Sequence, residues 1–234
     1  MDTSSDFVEI RGERVILRDP RPEDVGARMR WSTVEVAWQD WDGPWEGRVI
    51  TPPERIAAAK RKLRREIAKP LPVPRSRLFV ERIGGPLLGW VNRYRDDAIN
   101  RTTWAGISIC ESAFWCQGLG TEALRLWVDY LFREWATTRS TGSGQARVAP
   151  TNGAPGTRAN SGLHRIGTET WSGNLRMIRC AEKCGFAVEG RFRETVEVRG
   201  QRYDGVKFGL LRREWQTPRR QSQMGSGAAM EETR

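Results

Sequence analysis

Apolar and polar positions alternate over short stretches of this chain and fall at helical spacing over others. Arg14–Arg18 alternates around Val15 and Leu17, which predicts a strand. Pro22-Glu23-Asp24 opens a helix, with Asp19 placed to cap it. A second helix is predicted from Thr51-Pro52-Pro53-Glu54 to about Ala68, before Pro70, Pro72 and Pro74 stop it. Leu78–Ile83 and Leu87–Tyr94 read as strands joined by a Gly84-Gly85 hairpin turn, and Thr102–Cys110 as another strand. Within Leu119–Trp135, Leu124, Trp127, Val128 and Leu131 stand at i, i+3, i+4 and i+7, one apolar helix face. Leu163–Thr170 reads as a strand and Asn174–Cys184 as a helix ended by Gly185. Two more strands, Ala187–Val198 and Arg202–Leu211, meet at Arg199-Gly200. The expected chain is mixed α/β, with about seven strands and four helices and no internal repeat.

Three stretches interrupt this pattern. Residues 1–6 are small and polar, and residues 216–234 pass through Pro218, Arg219, Arg220 and Gly225-Ser226-Gly227. Both are expected to be flexible tails, because little apolar content is present to offset ordering entropy. Residues 137–162 have Val148 as their one large apolar residue, carry Arg139, Arg147 and Arg158, and hold no acid. They are expected to form a disordered insertion within a single domain spanning residues 7–215.

Composition narrows the classes. Of 234 residues 38% are apolar, including 11 Trp and 7 Phe, which argues for a real core and against wholesale disorder. No apolar run reaches the roughly 18 residues of a membrane span. The opening Met1–Asp6 lacks the basic and apolar regions of a signal peptide, so a cytoplasmic location is expected. The 4 Cys include no CxxC pair and His164 is the 1 His, so no metal site is expected and the thiols should be reduced. The net charge of +10 is uneven: residues 52–69 carry seven basic residues against Glu54 and Glu66. Such a helix is either a solvated face or a grip for nucleic acid or an anionic ligand. A homodimer stays open.

The stretch that carries chemistry is Ile107-Ser108-Ile109-Cys110-Glu111-Ser112-Ala113-Phe114-Trp115-Cys116-Gln117-Gly118-Leu119-Gly120-Thr121-Glu122-Ala123. A strand runs into a loop with two glycines, and the loop opens a long helix. Backbone N–H groups at such a helix start form an anion site that glycine leaves accessible; a plain turn is the alternative. The spacing of a P-loop and its lysine are absent.

Trp115-x-x-Gly118-x-Gly120-Thr121-Glu122-Ala123 resembles the acetyl-CoA pyrophosphate loop of the GNAT N-acetyltransferases. The branch it looks most like is that of the RimJ/RimL ribosomal-protein N-terminal acetyltransferases. A second block resembles the same family, from Leu163-His164-Arg165-Ile166 through Asn174 to Ala181-Glu182-Lys183-Cys184-Gly185-Phe186. The ends match as well, at Arg14–Arg18 and from Tyr203-Asp204 to Trp215, so the resemblance covers about residues 8–215. It implies a mixed sheet whose fourth and fifth strands splay apart to admit acetyl-CoA, used as co-substrate. It further implies that the backbone of Ile109-Cys110-Glu111 pairs with the pantetheine arm. The amides of Cys116, Gln117, Gly118, Leu119, Gly120 and Thr121 would hold the pyrophosphate, and Asn174 would reach the cofactor.

By the same resemblance, acetyl passes directly from the thioester to a primary amine on a protein N-terminus or small molecule. A base must take one proton from that amine. Glu169 matches a family glutamate in this role, and Glu111 at the loop mouth is the second candidate; each can equally be a solvated carboxylate. The chain departs from pattern at the acid, because Met177 and Ala181 occupy positions where relatives often carry Ser or Tyr. Trp31, Trp38, Trp41 and Trp45, with Asp40, Asp42 and Glu46, crowd the segment between the first two helices; they would line the acceptor side and suit a cationic amine, or else simply pack the helices. Tyr203 and Asp204 would join them or only shape a turn. The competing class is a non-catalytic protein that binds acyl-CoA, or RNA through the basic helix at 52–69.

Overall fold

The computed structural model describes residues 7–137 and 162–216. The sequence-based expectations for residues 1–6, 138–161 and 217–234 lie outside the described residues. Eight strands make one sheet in the order β1-β2-β3-β4-β5-β6-β8-β7. They are β1 (Glu9–Arg11), β2 (Val15–Arg18), β3 (Arg77–Arg82), β4 (Leu87–Asp97), β5 (Thr102–Ile109), β6 (Arg165–Trp171), β7 (Ala187–Val198) and β8 (Gln201–Leu211). The helices are α1 (Val25–Arg30), α2 (Ile56–Ile67), α3 (Leu119–Thr137), α4 (Leu175–Cys184) and the short α5 (Arg212–Gln216). The strand the sequence pattern did not reveal is β1, too short to show alternation.

The core forms where the apolar face of α3 meets the sheet. Leu124, Trp127, Val128 and Leu131 are fully buried there, with Val15, Leu17, Leu78, Val80, Leu88 and Val91 from the first strands. Each such large side chain contributes on the order of 2 kcal/mol by leaving water. The β7–β8 turn follows from its residues: Arg199 and Gly200 take φ of 51° and 77°, the left-handed pair that a two-residue hairpin requires. Along α2, Ile56, Ala59, Leu63 and Ile67 form a half-buried stripe, while Lys60, Arg61, Arg64 and Arg65 are exposed. The basic charge of that helix therefore faces solvent.

Asp19 does not cap a helix. Its carboxylate accepts the Val8 N–H at 2.9 Å and Arg75 Nε at 2.9 Å, because the buried Arg75 guanidinium needs a counter-charge. Asp24 closes the helix entrance instead, accepting the Arg21 N–H at 2.6 Å and both terminal nitrogens of buried Arg18 at 2.8 and 2.9 Å.

What positions the site is one incomplete strand pair. β5 and β6 run parallel and pair only at Thr102–Arg165, Thr103–Ile166 and Trp104–Gly167. Beyond those residues β5 stays paired to β4 as far as Ile109, and β6 stays paired to β8 as far as Trp171. Their facing edges separate, and a V-shaped gap opens between them. With β1 counted, these are the fifth and sixth strands, and they are the two that the sequence reading placed on either side of the gap.

Candidate active site

A cavity of about 570 Å³ fills the gap and passes from one face of the sheet to the other. Side chains alternate along a strand, so the parity of each residue assigns its face. Ile107 and Ile109 of β5 point to the α3 side, where Gly120 stands over both. Gly106 and Ser108 belong to the opposite side.

On the helix side the cavity ends in the glycine loop. Among the described residues, no hydrogen bond is made by the backbone N–H groups of Cys116 to Thr121, six in a row at the start of α3. Gly118 takes φ of 80°, a turn that a side chain would strain, and Gly120 leaves the space above β5 open. Behind the loop, Arg14 donates from Nη1 to the Gln117 carbonyl at 2.9 Å and from Nε to Glu122 at 3.0 Å. Opposite the loop, Arg176, Arg179 and Lys183 of α4 line the cavity at i, i+3 and i+7. Arg176 is held between two indoles, its Cζ 3.9 Å from the Trp41 ring centroid and 4.1 Å from that of Trp115. Unpaired N–H groups beside three cations fit a phosphate-bearing ligand.

On the other face the walls are Trp38, Trp41, Trp90, Asn92 and Tyr94, with Arg77 over the Trp90 ring. Two acids line this end. Ser108 Oγ donates to Asp42 Oδ2 at 2.7 Å, and Glu169 Oε1 lies 2.7 Å from Arg95 Nη1. Burial, with the Glu169 charge adding to it, pushes the Tyr94 hydroxyl up to about 12. Trp41 ties the wall to β6: its ring stacks on Trp171, and its carbonyl accepts Trp171 Nε1 at 3.2 Å and Asn174 Nδ2 at 3.1 Å.

The structure brings Glu169, Ile109, Cys116, Gly118, Leu119, Gly120, Thr121, Asn174, Trp38 and Trp41 to this one cavity. Other candidates stand elsewhere. Cys110 is buried beside Trp31, Phe79 and Leu87, and its N–H donates to the Leu88 carbonyl. Glu111 is buried too, accepting Trp31 Nε1 at 2.8 Å and Arg30 Nη2 at 3.2 Å, a carboxylate satisfied away from the gap. Trp31 is thereby a core residue. The Ile109 carbonyl accepts Trp115 Nε1 at 2.7 Å. Gln117 lies on the exposed back of the loop, its amide on the Ala113 carbonyl. Tyr203 packs edge-on against Trp171, and Asp204 pairs with Arg191, whose hydrogen bond holds that carboxyl below its ordinary range. Both shape the β7–β8 hairpin and lie outside the cavity lining.

Asn174 keeps its place but is already engaged, its Oδ1 capping α4 at the Met177 N–H. The residues that sequence reasoning missed had periodic signals. Trp90, Asn92 and Tyr94 alternate along β4, and the α4 cations repeat at helical spacing. Among the described residues, no three His, Cys, Asp or Glu gather as a metal site, and no helix is long and apolar enough to cross a membrane.

The model of the acetyltransferase (GNAT) domain matches residues 14–187. The chain belongs to the GNAT family. Two Bacillus subtilis (strain 168) proteins are similar in sequence. The SPbeta prophage-derived uncharacterized N-acetyltransferase YokL is 38% identical over 52 residues, 22% of this chain and 29% of that protein. "Putative ribosomal N-acetyltransferase YdaF" is 26% identical over 132 residues, 56% of this chain and 57% of that one. The chain thus spans less than two thirds of either relative. Among solved structures, spermidine N-acetyltransferase from Vibrio cholerae, in complex with CoA and spermine, superposes with a TM-score of 0.59 at 16% identity. That likeness covers 87% of this chain and 99% of the other, and it shows the shared fold. The gap between β5 and β6 and the glycine loop beside it are the GNAT features that the sequence resemblance implied.

Proposed function

We propose that the protein transfers the acetyl group of acetyl-CoA to a primary amine. The observation that carries this reading is the polarity of the cavity across the sheet. Six free backbone N–H groups and three cations stand on the helix face; on the other, Asp42 and Glu169 stand between aromatic walls, with Arg77 over the Trp90 ring and Arg95 paired to Glu169. Phosphates belong at the first end and a cationic amine at the second, so donor and acceptor meet in the gap. The protonated amine loses one proton to Glu169, directly or through one water, and attacks the thioester carbon. Asp42, hydrogen-bonded to Ser108, adds negative charge where the ammonium enters.

The acceptor is proposed to be a protein N-terminus or a small amine. The first follows the resemblance to the RimJ/RimL ribosomal-protein N-terminal acetyltransferases, which the name of the putative ribosomal N-acetyltransferase YdaF supports, and the second follows the spermidine enzyme of the same fold. Release of CoA is to be measured with acetyl-CoA and a panel of N-terminal peptides, polyamines and other small amines, with the acetylated product weighed by mass spectrometry. Acetyl transfer to at least one amine is expected. Tight binding of acetyl-CoA with no transfer to any amine would replace this reading with a non-catalytic CoA-binding protein.

A further inference from the structure

Thr168 is 1% exposed, and its Oγ1 is the one buried side-chain polar atom without a hydrogen-bond partner among the described residues. A buried hydroxyl left unsatisfied is unfavourable, so such atoms are rare in native proteins and call for a partner. Thr168 also lines the cavity, one residue beyond Gly167, where the pairing of β5 with β6 ends. It stands at the vertex of the gap.

Parity fixes its side. Thr168 shares a face with Ile166, which packs in the core beneath α3, and it pairs across the sheet with the core residue Phe208. Its hydroxyl is therefore on the helix face, with the glycine loop and α4. Glu169, the next residue, is on the face of the aromatic walls. One strand thus presents a carboxylate toward the acceptor and an orphan hydroxyl toward the donor, on either side of the point where acetyl must cross.

We propose that the Thr168 hydroxyl donates a hydrogen bond to the sulfur of CoA as the thioester breaks. This rests on the acetyl-transfer reading above. The amine nitrogen forms its bond to the carbonyl carbon, the C–S bond breaks, and its electron pair leaves on sulfur. The ammonium gives its first proton to Glu169, which passes it to solvent, and the nitrogen gives its second proton to the same carboxylate once the N–C bond has formed. Thr168 keeps its own proton while sharing it with the thiolate, which is later protonated by solvent. The donor role vacated at Met177 and Ala181 is filled from the strand instead of the helix.

Thr168→Val removes the hydroxyl and keeps the shape, and Thr168→Ser keeps the hydroxyl. With acetyl-CoA and an amine that the wild type accepts, the valine variant should lose about 10- to 100-fold in kcat, the range for a hydrogen bond to a charged group. Its acetyl-CoA affinity should stay within about twofold, and the melting temperature of the ligand-free protein should hold or rise, since an unpaired hydroxyl is gone. Thr168→Ser should recover most of the rate. Wild-type kcat in the valine variant, an equal loss in the serine variant, or a valine variant that melts early or fails to fold would each overturn the proposal. A wild type that acetylates no amine would overturn the acetyl-transfer reading and this inference with it, whereas an active wild type with an equally active valine variant would overturn this inference alone.

Discussion

Glu122 accepts the backbone N–H of Arg14 at 2.8 Å and the Arg14 guanidinium at 3.0 Å, joining the first turn of α3 to the start of β2. The Val15 N–H adds a third bond at 3.3 Å, and Arg14 passes the constraint on to the loop through the Gln117 carbonyl. The glycine loop is therefore braced from behind by residues about a hundred positions earlier in the chain. Burial alone would raise the Glu122 carboxyl, but the bonds from Arg14 and Val15 outweigh it and hold the group below its ordinary range.

A depressed carboxyl contributes stability that is fully present above its unfolded pKa, ~4.3, and is lost as pH falls through the folded value. Glu122→Gln should cost about 1 kcal/mol near pH 7. The deficit should begin to shrink as pH falls below that unfolded value and go on shrinking as pH passes through the lowered folded one, where the wild-type carboxyl takes up its proton. Urea unfolding at pH 7 and pH 3.5 reads the difference. A deficit that grows on acidification would contradict this account.

Gly118→Asp places a carboxylate among N–H groups that await phosphate, at a φ of 80° that strains any side chain. Affinity for acetyl-CoA should fall at least tenfold, about 1.4 kcal/mol, in a variant that still folds. Calorimetric titration with acetyl-CoA checks it, and an unchanged Kd would remove the loop from the binding site.

Asn174 holds α4 and the Trp41 wall with opposite ends of one amide. Asn174→Ala should destabilise by about 1–2 kcal/mol, the range for losing an N-terminal cap. Asn174→Asp keeps the acceptor for the Met177 N–H and turns the donor toward Trp41 into a second acceptor. It should recover most of the helix stability while leaving the wall loose, so its melting temperature should lie nearer the wild type than that of the alanine variant. Equal loss in both would show that the Trp41 contact, not the cap, is what matters.

These residues also show where the sequence could be read and where it could not. Gly118, Gly120 and the helix behind them were legible because loop chemistry is local: a strand, two glycines and an apolar helix face lie within about twenty positions. Glu169 was singled out by its match to a family glutamate, which the alternation of its strand alone would not have done. Arg176 repeats with Arg179 and Lys183 at helical spacing, but its place between Trp41 and Trp115 was not legible, because those indoles come from different segments and meet only in the fold. Glu111 misled for the same reason, since its partner Trp31 lies 80 positions away and draws the carboxylate into the core. Pairing across long separations leaves no periodic trace, whereas the faces of single strands and helices do.

Glu169 stands opposite the donor face, within the aromatic walls, and its one ion pair among the described residues is to Arg95, a residue more than half exposed. An exposed guanidinium orients the carboxylate without sealing it, so the second oxygen remains available to an ammonium or to a water beside it. Glu169→Gln keeps the size and removes the basic oxygen. Acetyl-CoA affinity should hold, because the phosphate end of the cavity lies on the other face. Turnover should fall by about 10²–10⁴-fold, the usual range for general-base catalysis. The residual rate should climb as pH rises, since a larger fraction of the amine is then neutral and needs no base. Steady-state rates between pH 6 and 9, with acetyl-CoA saturating, measure both effects. A variant that matches the wild type across that range would move the base to Asp42, the other carboxylate lining the acceptor end.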